Sequence, residues 1–247
     1  MVKIDILYLL CFLGIIFVYL ISQFSFVNGK PTCNNYIINT YLYLGLSLLL
    51  LGYFSNVINY SLLGFSTLLF AILALIVVIA IGFQKNFQET LGEVVMSHSL
   101  WLLFIILIST TFSMYFDKKL PFFKYIVSTA LIVTLIFVVM SMIVYLYPSF
   151  FISTYGVAMA GLLCGLLVII ISHIFLLFFG GKDTMKYLNI LSYFGIVIFS
   201  LLVSYDTTQM IILKEQCENY PNYPKRSIDF FLDIINLFSD VIRLRSR

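Results

Sequence analysis

A segment near the end of the chain decides the fold: Asp229-Phe-Phe-Leu-Asp233-Ile-Ile-Asn236-Leu-Phe-Ser-Asp240. At about 100° per residue, its three aspartates and its asparagine fall within an arc of about 60° on one face of a helix. A charged side chain is costly in lipid, so the acidic face must be turned toward protein or water. The segment therefore predicts a helix packed into the interior of a membrane bundle.

The composition agrees with a membrane protein. The 247 residues are 62% hydrophobic and only 10% charged, with a mean hydropathy of +1.08, whereas soluble domains have about 25% charged residues. The net charge of +3 is dispersed and forms no basic stripe that would suggest nucleic acid, so we expect no nucleic-acid partner. The lipid bilayer is the expected surrounding.

Seven further apolar runs precede the acidic helix. They are Ile6–Ile21 (extended by uncharged residues to Val27), Ile37–Phe54, Leu62–Phe83, Ser99–Tyr115, Tyr125–Tyr147, Tyr155–Phe179 and Tyr187–Leu213. Each can cross a bilayer core of about 30 Å, and backbone groups in lipid require helices. The sequence predicts an all-α, polytopic helical bundle of seven transmembrane helices plus an extra N-terminal hydrophobic helix.

We expect residues 1–36 to form an N-terminal hydrophobic segment with a polar loop, and residues 37–247 to form the membrane domain. The first run is longer than the roughly 7–15 apolar residues of a signal peptide, which favours an uncleaved span. For the last run, Ile228–Leu244, its length permits a span, while its charges equally permit a helix that enters the membrane and turns back.

A fourth aspartate closes the preceding run, in Ser204-Tyr205-Asp206-Thr207-Thr208-Gln209. Asp206 shares a face with the small residues Ser192 and Gly195, which would allow a neighbouring helix to approach closely. Because the two helices are consecutive, their acidic faces can meet. Two facing carboxylates away from water cannot both ionise cheaply, so they share a proton and titrate as a unit.

The sequence thus proposes Asp206 and Asp233 as a proton sensor. Carboxylate oxygens are also ligands of Ca²⁺, so these two residues are candidates for a weak calcium contact. Asp229, Asn236 and Asp240 are candidates to line an ion path. The alternative is that Asp229 and Asp240, near the helix ends, are solvated at the headgroups.

The cysteines match no zinc or redox spacing. Cys33 and Cys217 lie in polar loops, and the even number of predicted spans between them places both loops on one side of the membrane. On a lumenal side they could form a disulfide; the alternative is two unpaired loop thiols.

At these residues the chain resembles the Bax-inhibitor (lifeguard, transmembrane Bax inhibitor motif) family. Phe199-Ser200-Leu201-x-x-Ser204-Tyr205-Asp206-Thr207 is similar to the family's F-x-G-x-x-x-Y-D-T, with Leu201 in place of the glycine, and Phe231-Leu-Asp233-Ile-Ile-Asn236-Leu-Phe238 is similar to Y-L-D-I/F-I-N-L-F. Tyr41-Leu42-x-Leu44-Gly45-Leu46 resembles the opening of the family's first helix.

The resemblance implies a pH-sensitive Ca²⁺ leak pathway of seven helices, found in endoplasmic reticulum, Golgi or bacterial membranes, with a cell-death-suppressing role in eukaryotic and viral members. It implies that the family's aspartate sensor is Asp206 with Asp233. We therefore expect a non-enzymatic protein of endoplasmic reticulum or Golgi, without a cofactor. Its expected partners are membrane proteins of cell-death or calcium-release pathways.

Three positions depart from the family pattern. Thr208 stands between the Tyr-Asp-Thr triplet and Gln209. Ser97-His98-Ser99 stands where the family has an acidic residue. The family's basic partner on the second helix has no counterpart inside Leu62–Phe83, and Lys85 is the nearest basic residue. Lys85, His98 and Gln209 are therefore the candidates for a latch or for tuning the pH response.

Two other functions are open at this point. An intramembrane aspartyl protease would also place a Tyr-Asp on one helix and an Asp on another, one as base and one as acid. Its second aspartate is expected in a Gly-x-Gly-Asp setting, whereas Phe230-Phe231-Leu232 contains no glycine. The third alternative is a non-conducting scaffold that binds other membrane proteins.

Overall fold

The computed structural model describes residues 2–58, 66–116, 124–179 and 184–245. Over these ranges the chain forms eight α-helices, followed in one case by a short 3₁₀ turn, Ser113–Phe116. The helices are α1 (Val2–Phe24), α2 (Tyr36–Val57), α3 (Ser66–Gly82), α4 (Leu91–Phe112), α5 (Ile126–Leu146), α6 (Pro148–Phe179), α7 (Thr184–Glu215) and α8 (Tyr223–Arg245). Four two-residue strands lie between helices: β1 (Phe26–Val27), β2 (Lys30–Pro31), β3 (Phe87–Gln88) and β4 (Tyr220–Pro221).

Within the described ranges, six helices are long and apolar enough to cross a membrane: α1, α2, α4, α5, α6 and α7. Helix α3 contributes a shorter apolar stretch, Leu68–Gly82. The predicted all-α, polytopic membrane bundle is therefore confirmed.

Helices α4 and α6 begin about two turns before the apolar runs predicted. Helix α4 begins at Leu91 instead of Ser99, because Thr90 forms a capping box with Glu93: Thr90 Oγ1 accepts from Glu93 N (3.2 Å) and Glu93 Oε2 accepts from Thr90 N (3.3 Å). Helix α6 begins at Pro148 instead of Tyr155, since proline in a first helical turn lacks only an N–H that has no intrahelical partner there.

The described chain forms two compact units. Unit 1 comprises residues 1–123 and 213–231, and unit 2 comprises residues 124–212 and 232–247. Helix α8 contributes its first turns to unit 1 and the remainder to unit 2.

In unit 1, α2 packs against both α1 and α4, and α4 also packs against α3. The ring of Phe17 on α1 lies directly over Gly45 of α2, where a methyl group would overlap it. Strands β1 and β2 pair with each other, and β3 pairs with β4 through Phe87↔Pro221 and Gln88↔Tyr220. These ribbons connect the loop before α2 with the loops before α4 and α8.

Unit 2 has an apolar core between three helices. Val133 of α5, Phe199 and Val203 of α7, and Leu237 and Val241 of α8 are buried together. Because consecutive core residues on α7 and α8 lie four residues apart, this face recurs about once per helical turn. The core thus fixes which sides of α7 and α8 are buried.

Candidate functional site

Three aspartates of the described part of unit 2 are buried. Asp206 on α7 is 8% exposed, and on α8 Asp233 is 5% and Asp240 is 7% exposed. Asp206 follows the core residue Val203 by three positions, which explains why it shares the buried face of α7. The sequence predicted this burial from the position of the aspartates on the apolar helices.

The packing of α7 on α8 fixes how far apart Asp206 and Asp233 lie along the helices. Arg243 Nη1 is 3.2 Å from Ser192 Oγ, and the Asp240 carboxylate contacts Gly195, so the two helices run antiparallel. Seven residues before Asp240 is Asp233, which is then level with residue 202 of α7. Asp206 lies four residues further on, about 6 Å along the axis at 1.5 Å per residue. The two aspartates therefore occupy neighbouring turns of adjacent helices.

Asp240 is held at the other end of this helix pair. Arg243 Nη1 lies 3.9 Å from Asp240 Oδ1, three residues earlier on α8, and also donates to Ser192 Oγ. The Asp240 carboxylate occupies the space in which a side chain at position 195 would lie. Gly195 therefore permits this close approach, as the small residues of α7 predicted.

Asp229 lies in unit 1, where its carboxylate forms an ion pair with Arg226. The Arg226 side chain is 5% exposed and that of Asp229 is 33% exposed. Asp229 is therefore not simply solvated at the headgroups, because the buried guanidinium of Arg226 binds it. Sequence reasoning missed Arg226; the available signal was a basic residue three positions before an acid on one helix.

The charges along α8 follow a pattern. Asp229 and Asp240, the two outer aspartates of the stripe, each have an arginine within one turn on their own helix. Between Arg226 and Arg243 the sequence contains no lysine or arginine. Asp233 lies in the middle of the stripe, and the half-buried Asn236 is the next polar residue.

Helix α7 is fixed around Asp206 by its sequence neighbours. The Tyr205 ring stacks on Tyr155 of α6 with centroids 4.5 Å apart, and the hydroxyl of Tyr205 donates to that of Tyr155 (2.7 Å). Thr207 Oγ1 is 3.2 Å from Ser141 Oγ of α5. The Tyr-Asp-Thr triplet therefore places two polar anchors beside the aspartate, and the half-buried Gln209 follows two positions later.

His98 belongs to an aromatic cluster in unit 1 and is half-buried. Its Nδ1 lies 2.8 Å from the Val94 carbonyl, which only accepts, so Nδ1 carries the hydrogen. In the neutral ring, Nε2 then accepts from the Tyr43 hydroxyl at 2.7 Å. The Tyr43 ring also stacks on Tyr223 of α8, with centroids 5.7 Å apart. Sequence reasoning could not find the hydrogen bond between Tyr43 and His98 because 55 residues separate them.

Lys85, the predicted latch candidate, forms an ion pair with Glu89. Its Nζ donates to Glu89 Oε1 at 2.7 Å, and both side chains are more than half exposed. This hydrogen bond raises the pKa of the Lys85 amine. The buried basic residue that binds an acid of the stripe is Arg226 instead.

The two loop cysteines singled out from the sequence, Cys33 and Cys217, are joined by a disulfide with their Cα atoms 5.8 Å apart. Cys11 and Cys164 are free. Within the ranges that the structure describes, no three His, Cys, Asp or Glu side chains are grouped so as to hold a metal ion.

The chain is similar to a known protein family. The model of the family described as "Bax1-I: Inhibitor of apoptosis-promoting Bax1" matches residues 33–246. No curated protein matches the chain. Members of this family are associated with apoptosis inhibition and calcium leak and are generally non-enzymatic membrane proteins. The matched range covers helices α2 to α8 and both aspartate motifs, and the chain therefore belongs to the Bax inhibitor-1 family.

Proposed function

We propose that this protein is a proton-sensitive leak pathway for cations, with Ca²⁺ as the permeant ion, in the endoplasmic reticulum or Golgi. In this proposal the leak underlies a cell-death-suppressing role, and membrane proteins of cell-death or calcium-release pathways are its partners. Residues 37–247 form the conducting domain, and residues 1–36 are an added N-terminal segment. The family association with calcium leak supports this choice.

The observation that carries the proposal is the placement of Asp206 and Asp233. Both are buried, and they lie on neighbouring turns of α7 and α8. Asp at the centre of a transmembrane helix costs about 2.5–3.5 kcal/mol even on the most favourable scale. Two buried aspartates kept on adjacent helices despite the cost of burial favour a functional role for this pair.

The pair can act as a switch because its charge depends on a shared proton. With one proton between them, the two carboxyl groups hydrogen-bond and hold α7 against α8. When the proton leaves, two negative charges at this depth repel each other or admit a cation. Oxygen ligands suit Ca²⁺, and only two carboxylates provide a weak contact, as a permeant ion requires.

The other polar residues of the stripe take supporting roles in this mechanism. Asn236 offers an uncharged oxygen one turn from Asp233, while Asp229 and Asp240 extend the acidic face toward the two ends of α8. Their arginines reduce the local negative charge at the two ends of the stripe. Gln209 and His98 remain candidates for tuning that response.

Flux measurements on purified protein test the proposal. Liposomes that contain the protein and a Ca²⁺-sensitive dye should show a leak that changes with pH, and Asp206→Asn or Asp233→Asn should remove the pH dependence. Glu218→Gln is the matched control, because it neutralises an exposed carboxylate of the loop before α8 and should leave the profile unchanged. Absence of flux at every pH would exclude the leak and leave the scaffold alternative, in which Asp206→Asn alters partner binding only.

A further inference from the structure

A polar cleft lies beside the Cys33–Cys217 disulfide in unit 1. Its volume is about 490 Å³, and both half-cystines contribute to its wall. The charged residues of the lining are one lysine and two glutamates: Lys30, Glu89 and Glu218. Because Cys33 and Cys217 are only half-buried, a small molecule in the cleft can reach the sulfur atoms.

The surrounding fold holds the same loops together without the disulfide. The Tyr223 hydroxyl donates to the Thr32 carbonyl at 2.5 Å, and Asn222 N donates to the Asn86 carbonyl at 2.9 Å. Strand β4 also pairs with β3 across these loops. Since none of these bonds involves sulfur, opening the disulfide does not remove any of them directly.

The reduced form would find a hydrogen-bond partner already in place. The Asn219 carbonyl oxygen lies 3.4 Å from Cys33 Sγ and 3.9 Å from Cys217 Sγ. A thiol S–H is a weak donor, so the same carbonyl can accept from a cysteine once the bond is broken. The reduced site therefore offers a hydrogen-bond acceptor to one of the two thiols.

We propose that the Cys33–Cys217 disulfide is a thiol–disulfide exchange site whose substrate is a low-molecular-weight thiol bound in this cleft. The thiolate of the first small thiol attacks one cysteine sulfur, forming a mixed disulfide and breaking the Cys33–Cys217 bond. The released cysteine thiolate takes a proton from water. A second small thiol attacks the mixed disulfide, which frees the other cysteine and yields the oxidised dimer of the small thiol. Two electrons pass from two small thiols to the protein disulfide.

The shape of the site favours a small thiol over a protein oxidoreductase. The sulfur atoms are reached from a recess that is flanked by β1, β2 and the loop from Cys217 to Tyr220, and a recess admits a peptide-sized molecule more readily than a protein surface. Accessible disulfides are also the labile ones, whereas structural disulfides resist the glutathione pool. The inference does not depend on ion conduction.

Thiol counting in a glutathione redox buffer tests the proposal. The full chain with Cys11→Ser and Cys164→Ser removes the two exposed free thiols and is placed in lipid nanodiscs with graded ratios of reduced to oxidised glutathione. We expect two thiols to appear together and reversibly, a mixed disulfide with glutathione at intermediate ratios by mass spectrometry, and unchanged helical circular dichroism. Thiols that appear only after denaturation, or only with loss of helix, would overturn the proposal.

A variant of the cleft tests where the small thiol binds. Val27 lines the cleft and is 53% exposed, so Val27→Trp should slow reduction by glutathione severalfold while slowing the smaller mercaptoethanol less. Phe83→Trp is the control, because Phe83 is exposed and lies outside the lining. Equal slowing by both variants would overturn the assignment to the cleft. Faster reduction by a thioredoxin-like protein, insensitive to Val27→Trp, would overturn the assignment to a small thiol.

Discussion

The close approach of α8 to α7 at Gly195 leads to a prediction about stability. A methyl group at position 195 would overlap the Asp240 carboxylate, so Gly195→Ala must displace either that side chain or the helix. Overpacking of this kind costs about 1–3 kcal/mol, whereas Gly→Ala in a helix interior by itself contributes about 1 kcal/mol of stability. The net expectation is a free energy of unfolding lowered by roughly 0–2 kcal/mol.

Gly161→Ala on α6 is the matched control, since nothing lies within 4 Å of a methyl group added there. The control should be neutral or stabilised by up to about 1 kcal/mol. Both variants are compared by equilibrium unfolding in mixed micelles. Asp240→Ala removes the obstacle, so a double-mutant cycle with Gly195→Ala should show a coupling energy of about 1–3 kcal/mol. The packing is refuted if Gly195→Ala stabilises the protein as much as Gly161→Ala does.

Three further predictions concern single bonds. Arg226→Gln should lower the free energy of unfolding by about 1–3 kcal/mol, because the buried guanidinium pairs with Asp229. Arg243→Gln, at a longer and more exposed pair, should lower it by about 0–1 kcal/mol. The reverse order in unfolding experiments would contradict the ion-pair geometry. Tyr223→Phe should lower the free energy of unfolding by about 1–3 kcal/mol, because it removes the hydrogen bond from the Tyr223 hydroxyl to the Thr32 carbonyl. Tyr193→Phe, at a ring that is 64% exposed, should be neutral. Equal thermal stability of the two variants would argue against this hydrogen bond. Thr207→Val should cost about 0.5–1.5 kcal/mol through the loss of its bond to α5, and unchanged stability in the same assay would argue against this bond.

The fold was predictable because its main signal is long-range hydrophobicity. A run of about 20 apolar residues in water has few alternatives to a helix in lipid, so the order and number of elements followed from the sequence. Helix ends were less predictable. The start of α4 depends on the reciprocal bonds of Thr90 and Glu93, which begin the helix about two turns before the predicted apolar run.

The site was predictable only in part. Helical periodicity placed the aspartates on buried faces, since burial of Asp206 and Asp233 depends mainly on position along their own helices. The partners of the ionisable groups depend on tertiary packing. Nothing in the sequence near His98 indicates its hydrogen bond to Tyr43. Lys85 was predicted as a latch residue, but its amine donates to Glu89, four residues further along the chain. Arg226 could have been found, since three residues separate it from Asp229.

The proposed switch depends on one proton shared between Asp206 and Asp233. Infrared difference spectroscopy of the protein in membranes, recorded across pH, detects protonated carboxyl groups without requiring ion flux. With a shared proton, we expect a protonated carboxyl band at neutral pH that titrates in one step. The band should be lost in both Asp206→Asn and Asp233→Asn. A band that survives either substitution, or the absence of any protonated carboxyl at neutral pH, would contradict the shared proton and with it the proposed switch.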